Sequence, residues 1–145
     1  MKVEIKLSDD VSEPYAVIYT NCLTDEVRET AELIERKGES VITARRGEQY
    51  LVVRPEEVYM ARVEDQKVVL YLKDSKATAG KRLNEIEKQL GGNFMRISKF
   101  TVVNLRQIGS VQPSINGFMY LTLKNGCRDS ISRKYLPGFK RYLGL

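Results

Sequence analysis

The chain has 145 residues, 42% apolar and 30% charged, with a formal net charge of +5, the balance of a soluble globular protein rather than a disordered one. Its apolar runs, such as residues 50–53 and 68–72, fall far short of the roughly 20 residues a spanning helix needs. Histidine is absent, which excludes Ser-His-Asp and Cys-His catalysis, His-ligated zinc and imidazole acid–base chemistry.

The start, Met1-Lys2-Val3-Glu4-Ile5-Lys6, lacks the apolar stretch of a secretory leader, so a cytoplasmic protein is expected. Cys22 and Cys127 lie far apart and match no metal spacing; in a reducing compartment both read as small buried or half-buried residues. No carboxylate cluster suggests a metal or a phosphate cradle, so no cofactor is implied and an enzyme is not expected.

Residues 1–44 read as a strand-strand-helix lobe. Val3, Ile5 and Leu7 alternate with charged residues, and a second strand is expected over 15–19 after the Glu13-Pro14 break. Thr24 then caps a helix with Asp25, Glu26 and Glu29 in its first turn, Arg36 and Lys37 in its last, and Gly38 as its stop. Val27, Ala31 and Ile34 form its expected buried stripe. With five bases and ten acids the lobe is net −5, a poor neighbour for a polyanion.

A second domain, residues 45–145, follows. The pattern predicts short strands near 41–45, 49–53, 57–62, 67–73, 94–97, 102–104, 107–112, 118–124 and 127–131. Turns are expected at Arg46-Gly47, Glu64-Asp65, Asn116-Gly117 and Asn125-Gly126, the Asn-Gly pairs being strong hairpin signals. Leu83, Ile86 and Leu90 mark one short helix ended by Gly91-Gly92. A closing helical piece near Pro137 is expected to carry Phe139, Tyr142 and Leu143 inward. Tyr50, Tyr59, Tyr71 and Phe94 sit on separate strands and read as core rather than as a base-stacking platform. The fold class is mainly β, α+β overall.

Charge is segregated along the chain. From Phe94 to Leu145 nine bases face one acid, Asp129, a net +8, whereas residues 1–93 are net −3 with 15 bases and 18 acids. Such a field attracts polyanions, and here it falls on strand-patterned sequence rather than a loose tail.

Within that basic segment, the tract from Phe94 to Ile108 (FMRISKFTVVNLRQI) resembles the signature of the LytTR DNA-binding domains. So do Leu121-Thr122-Leu123-Lys124-Asn125-Gly126 and the following Ile131-Ser132-Arg133-Lys134-Tyr135-Leu136. Upstream, the run from Pro55 to Glu64 is similar to the family's approach to its first reading loop, and residues 83–90 to its short helix. The resemblance implies an elongated domain of small antiparallel sheets whose loops enter major grooves of double-stranded DNA. It also implies a bacterial transcription regulator, often joined to a receiver domain. Forty-four residues are too few for a receiver, so the chain is similar to the stand-alone members, whose partner is often a small membrane protein.

Several contacts follow from the resemblance. Arg133, in a Ser-Arg-Lys triplet, matches the reading arginine, a residue type able to bridge guanine O6 and N7. Where many members carry His-Arg-Ser, this chain has Ser98-Lys99-Phe100; Ser98 and Lys99 are both candidate DNA contacts, and Lys99 keeps a long cationic donor but not the planar fork of arginine. Ser132 and Lys134 are candidate phosphate contacts. Gln66 and Lys67 fall where the family places a third reading loop. Arg96 reads equally as a phosphate contact or a packed, ion-paired residue. Asn104, closing a buried strand, reads as structural, its amide satisfying loop backbone groups.

Competing classes are an RNA or single-strand binder, which would need clustered exposed aromatics, and a protein-interaction module using the acidic lobe. Expected partners besides duplex DNA are a second copy through the N-terminal lobe, an inhibitory small membrane protein, and RNA polymerase.

Overall fold

The computed structural model describes residues 1–36 and 41–145, and the chain divides into two units that part between residues 37 and 38. The first contains helix α1 (Asp25–Arg36). Thr24 caps it: the Thr24 hydroxyl accepts from the Val27 amide at 3.3 Å. The stop expected at Gly38 and the last-turn Lys37 lie outside the described residues.

The two strands expected ahead of α1 do not form. Residues 3–7 and 15–19 have no ladder partner, and their alternating apolar side chains stand in solvent, Leu7 at 96% and Tyr19 at 94% exposure. Alternation supplies a face for burial, but a lone two-stranded ribbon is marginal in water without a third strand or a cover. The expected stripe of α1 is correspondingly weak, with Val27 and Ala31 half-buried and Ile34 48% exposed.

The second unit begins its ladder at β1 (Ile42–Arg46), so the boundary expected at 44/45 falls inside a strand. β2 (Gln49–Val53), β3 (Met60–Glu64), β4 (Lys67–Tyr71), β5 (Lys76–Ala79), β6 (Phe94–Ser98) and β7 (Thr101–Asn104) join it in one antiparallel sheet, ordered β2-β1-β5-β4-β3-β7-β6. A second sheet, β10-β9-β8, comprises β8 (Ile108–Pro113), β9 (Met119–Leu123) and β10 (Arg128–Ile131). Helix α2 (Leu83–Leu90) ends at Gly91, whose φ of 86° suits a residue without a Cβ. Helix α3 (Leu136–Leu143) follows β10 directly. The fold is thus mostly antiparallel β with three helices among the described residues.

The centre of the large sheet is covered on both faces. Met60 and Ala61, and likewise Val102 and Val103, are adjacent and fully buried, yet each pair divides between two clusters. Neighbouring side chains on a strand point to opposite faces. One face therefore packs on α2 through Leu83, Ile86 and Leu90, with Val58, Leu70 and Val102. The other packs on the small sheet and α3 through Leu121, Leu123, Ile131 and Phe139, with Ile97 and Val103. Full burial of one such side chain contributes roughly 1.5–3 kcal/mol.

Several details differ from the sequence expectation. β5 was not expected as a strand. The β3–β4 turn centres on Asp65 and Gln66, both at positive φ (49° and 65°), one residue later than the Glu64-Asp65 pair. On α3 only Phe139 is buried; Tyr142 and Leu143 face outward, because an eight-residue helix shows one face to the core. Tyr59, Tyr71 and Phe94 pack against the cores, but Tyr50 lies on the uncovered face of β2 and is exposed. Cys127 is half-buried as expected, and Cys22 is exposed, because the segment around it has no cover.

Candidate nucleic-acid interface

Strand pairing brings three separate turns to one end of the second unit. Arg62 stands opposite Thr101 in the β3–β7 ladder, and the Val63 amide donates to the Phe100 carbonyl at 2.9 Å. The β3–β4 turn at residues 65–66 is thereby set beside the β6–β7 turn at 99–100. The Ser132 amide donates to the Ile97 carbonyl at 2.8 Å, tying the segment leading into α3 to the end of β6. Gln66 and Lys67, Ser98 and Lys99, and Ser132, Arg133 and Lys134 therefore share one end, although up to 68 positions separate them in sequence.

Polar bracing fixes this end. The Arg62 guanidinium donates to Glu64 at 3.2 Å and to the Tyr71 hydroxyl at 3.1 Å, and Tyr71 donates to the second Glu64 oxygen at 2.5 Å. The Tyr71 hydrogen bond, joined by the Arg62 bond and charge and opposed by burial, holds the Glu64 carboxyl below its usual 4.5. Burial, then the bond to Glu64, raises the Tyr71 phenol above its ordinary value. Burial alone would lower Arg62, but its bonds to Tyr71 and Glu64 raise it further. Asp129 of β10 reaches across to the large sheet, accepting from the Thr101 hydroxyl at 2.7 Å and lying 3.6 Å from Arg62.

The candidate contact cations are held differently. Lys99 lies 5.6 Å from the Phe100 ring, Arg133 5.1 Å from Phe118, and Lys134 5.5 Å from Tyr135. All three residues are exposed, and none has a carboxylate within ion-pair distance. An aromatic face narrows the rotamers of a cation without neutralising it, so the full charge stays available to a polyanion.

Arg96 departs from this pattern. Its side chain is 15% exposed, and it donates to Glu87 at 2.8 Å, to the Asn84 side-chain oxygen at 2.7 Å and to the Lys99 carbonyl at 2.8 Å. Its guanidinium is engaged on α2 and on the turn, the packed, ion-paired arrangement that was one of its two readings. It pins the Lys99 turn to α2. Ser98 is half-buried, and its hydroxyl accepts from the Phe100 amide at 3.2 Å next to a β-bulge between residues 96 and 98. Asn104 donates to the Val58 carbonyl at 2.9 Å and accepts from the Arg106 amide at 3.0 Å, the structural role read from its position.

Comparison with known proteins accords with this geometry. The family described as "LytTr DNA-binding domain" matches residues 48–144. The chain belongs to the LytTr family. A solved LytTr DNA-binding domain from Bacillus cereus superposes with a TM-score of 0.68 at 26% identity, covering 74% of this chain and all of that one. Among curated relatives, the sensory transduction protein LytR of Streptococcus mutans is 29% identical over 112 residues, 77% of this chain and 46% of its own length. An HTH-type transcriptional regulator of Staphylococcus aureus is 39% identical over 64 residues, 44% of each. The chain thus spans under half the length of these two relatives. This LytTr domain is a DNA-binding domain, and no helix among its described residues is long and apolar enough to cross a membrane.

Sequence reasoning did not find Phe118 under Arg133, nor the Arg62–Glu64–Tyr71–Asp129 brace. Phe118 precedes β9, and only the β9–β10 register, with Met119 opposite Ile131, brings it near Arg133. No local pattern carries that information.

Proposed function

We propose that this chain is a sequence-specific, double-stranded-DNA-binding transcription regulator of the bacterial cytoplasm, without enzymatic activity. In this reading the turns at 65–67, 98–100 and 132–134 approach the major groove together. Arg133 reads a guanine edge and Lys99 a second base, Lys134 and Ser132 hold phosphates, and Gln66 and Lys67 supply the third contact. Ser98 acts by shaping the Lys99 turn. The carrying observation is that three cation-bearing turns share one end, and that Lys99, Arg133 and Lys134 on two of them lie over aromatic rings with no carboxylate within ion-pair distance. The names of the relatives support a regulatory rather than catalytic role. The exposed apolar residues of the N-terminal unit offer a surface to a controlling protein, a small inhibitory membrane protein first and RNA polymerase second.

The test begins with a duplex selected from a random pool and compares it with random duplex, single-stranded DNA and RNA over a range of salt. Affinity for duplex should fall with a log–log slope of about −0.9 per phosphate neutralised. Arg133→Ala should lose about 1–3 kcal/mol on the selected site and little on random duplex, whereas Lys134→Ala should weaken both alike. A flat salt response, or preference for single strands, would overturn the reading. Equal losses on both duplexes would make Arg133 a phosphate contact.

A further inference from the structure

The free edge of the large sheet lacks the protection that edge strands ordinarily carry. β2, Gln49-Tyr50-Leu51-Val52-Val53, is paired only to β1, in an unbroken five-residue register with no bulge. It contains no charged residue and no proline, the usual devices against edge-to-edge pairing. No backbone hydrogen bond from another described segment reaches its outer side. Tyr50 and Val52 project from its uncovered face at 68% exposure each, while Leu51 and Val53 continue the core on the opposite face.

The residues of this edge complement themselves. In an antiparallel pairing of two β2 strands about a two-fold axis through Leu51, Tyr50 stands opposite Val52 and Gln49 opposite Val53, each contact made twice. An aromatic beside a β-branched residue is a favourable cross-strand pair. Just beyond the strand, Glu48 falls opposite Arg54, again twice, and both are exposed. Other centres lose this match. An axis through Val52 would set Glu48 against Glu56, and one through Tyr50 would set Glu48 against apolar Val52.

We propose that β2 is a self-association edge, at which a second copy of this chain adds its own β2 antiparallel, in the register centred on Leu51, to extend the sheet across a two-fold axis. Such an interface is isologous. One short strand per copy makes it small, so association is weak and concentration-dependent. The proposal does not depend on how DNA is read, since the edge carries none of the assigned contacts.

Sedimentation of the 145-residue chain over a concentration series tests it. The wild type should show reversible monomer–dimer exchange. Val52→Lys should abolish the dimer, and Glu48→Arg or Arg54→Glu alone should weaken it on the order of tenfold through two like-charge contacts. The double variant Glu48→Arg/Arg54→Glu should restore it, and so should mixing the two single variants, because each then meets its opposite charge. Unchanged single-site DNA affinity would report that every variant is folded. A wild type monomeric throughout, a dimer indifferent to Val52→Lys, or single variants that fail to recover on mixing would overturn the proposal. So would a dimer lost instead to Ile5→Asp/Tyr19→Asp, which would place self-association in the N-terminal unit.

Discussion

Arg96 and Glu64 show how much of the proposed DNA-facing end is set by side chains that need not touch DNA. Arg133 and Lys99 were legible as candidates because each follows a short strand and matches a cationic position of the family signature. Arg96 was legible only as one of two alternatives, because its acceptors are Glu87 and Asn84 on α2 and a carbonyl three residues ahead, and only the folded chain assembles them. One ammonium cannot replace a planar fork that donates in three directions. Arg96→Lys should therefore lower unfolding free energy by about 1–3 kcal/mol in urea titration and weaken specific DNA binding through a loosened Lys99 turn. A variant with wild-type stability would sink that role. Glu64 makes a pH-dependent contribution whose sign follows from its lowered value. A carboxyl held below 4.5 when folded stabilises the protein above the unfolded value, and that stability disappears as pH falls through the folded one. The gap in thermal midpoint between wild type and Glu64→Gln should be widest near neutrality and close on acidification. A gap independent of pH would contradict it.

Among the elements, those with a strong periodic or turn signature were readable and those defined by their surroundings were not. Helix 83–90, the Asn-Gly hairpin at 125–126 and most strands appear within a residue or two of expectation, since apolar spacing and turn chemistry are local properties. β5, Lys76-Ala77-Thr78-Ala79, was missed because alanine favours strands poorly and the run is short. It forms because β1 and β4 flank it, where its small side chains fill a crowded sheet centre. The opposite error occurred at 3–7 and 15–19, where an ideal alternation has no neighbour to pair with. The controlling-protein reading of that segment predicts that Ile5→Asp/Tyr19→Asp leaves thermal midpoint and DNA affinity unchanged while altering regulation of a reporter in cells. An unaltered reporter response would remove that role.

At the scale of the whole molecule, the segregation of charge pointed to nucleic acid before any fold was known, because a net +8 over the last 52 residues is a property of composition alone. The joint between the two sheets was not legible, since it depends on residues from β3, β7 and β10 meeting in space. Asp129 is that joint, and it is also the single acid in the basic stretch. Counting charges would recommend its removal, as one fewer acid should tighten any grip on a polyanion. The geometry gives the opposite instruction. Asp129→Asn should bind the selected duplex several-fold more weakly despite a net charge higher by one, because the 132–134 turn loses its alignment with the 98–100 turn. Measured affinity at fixed salt decides between them, and tighter binding would mean that the joint is dispensable. If the geometry is right, the one acid of the basic C-terminal stretch is what makes its bases useful. A designer seeking a stronger regulator should then add cations elsewhere and leave this anion in place.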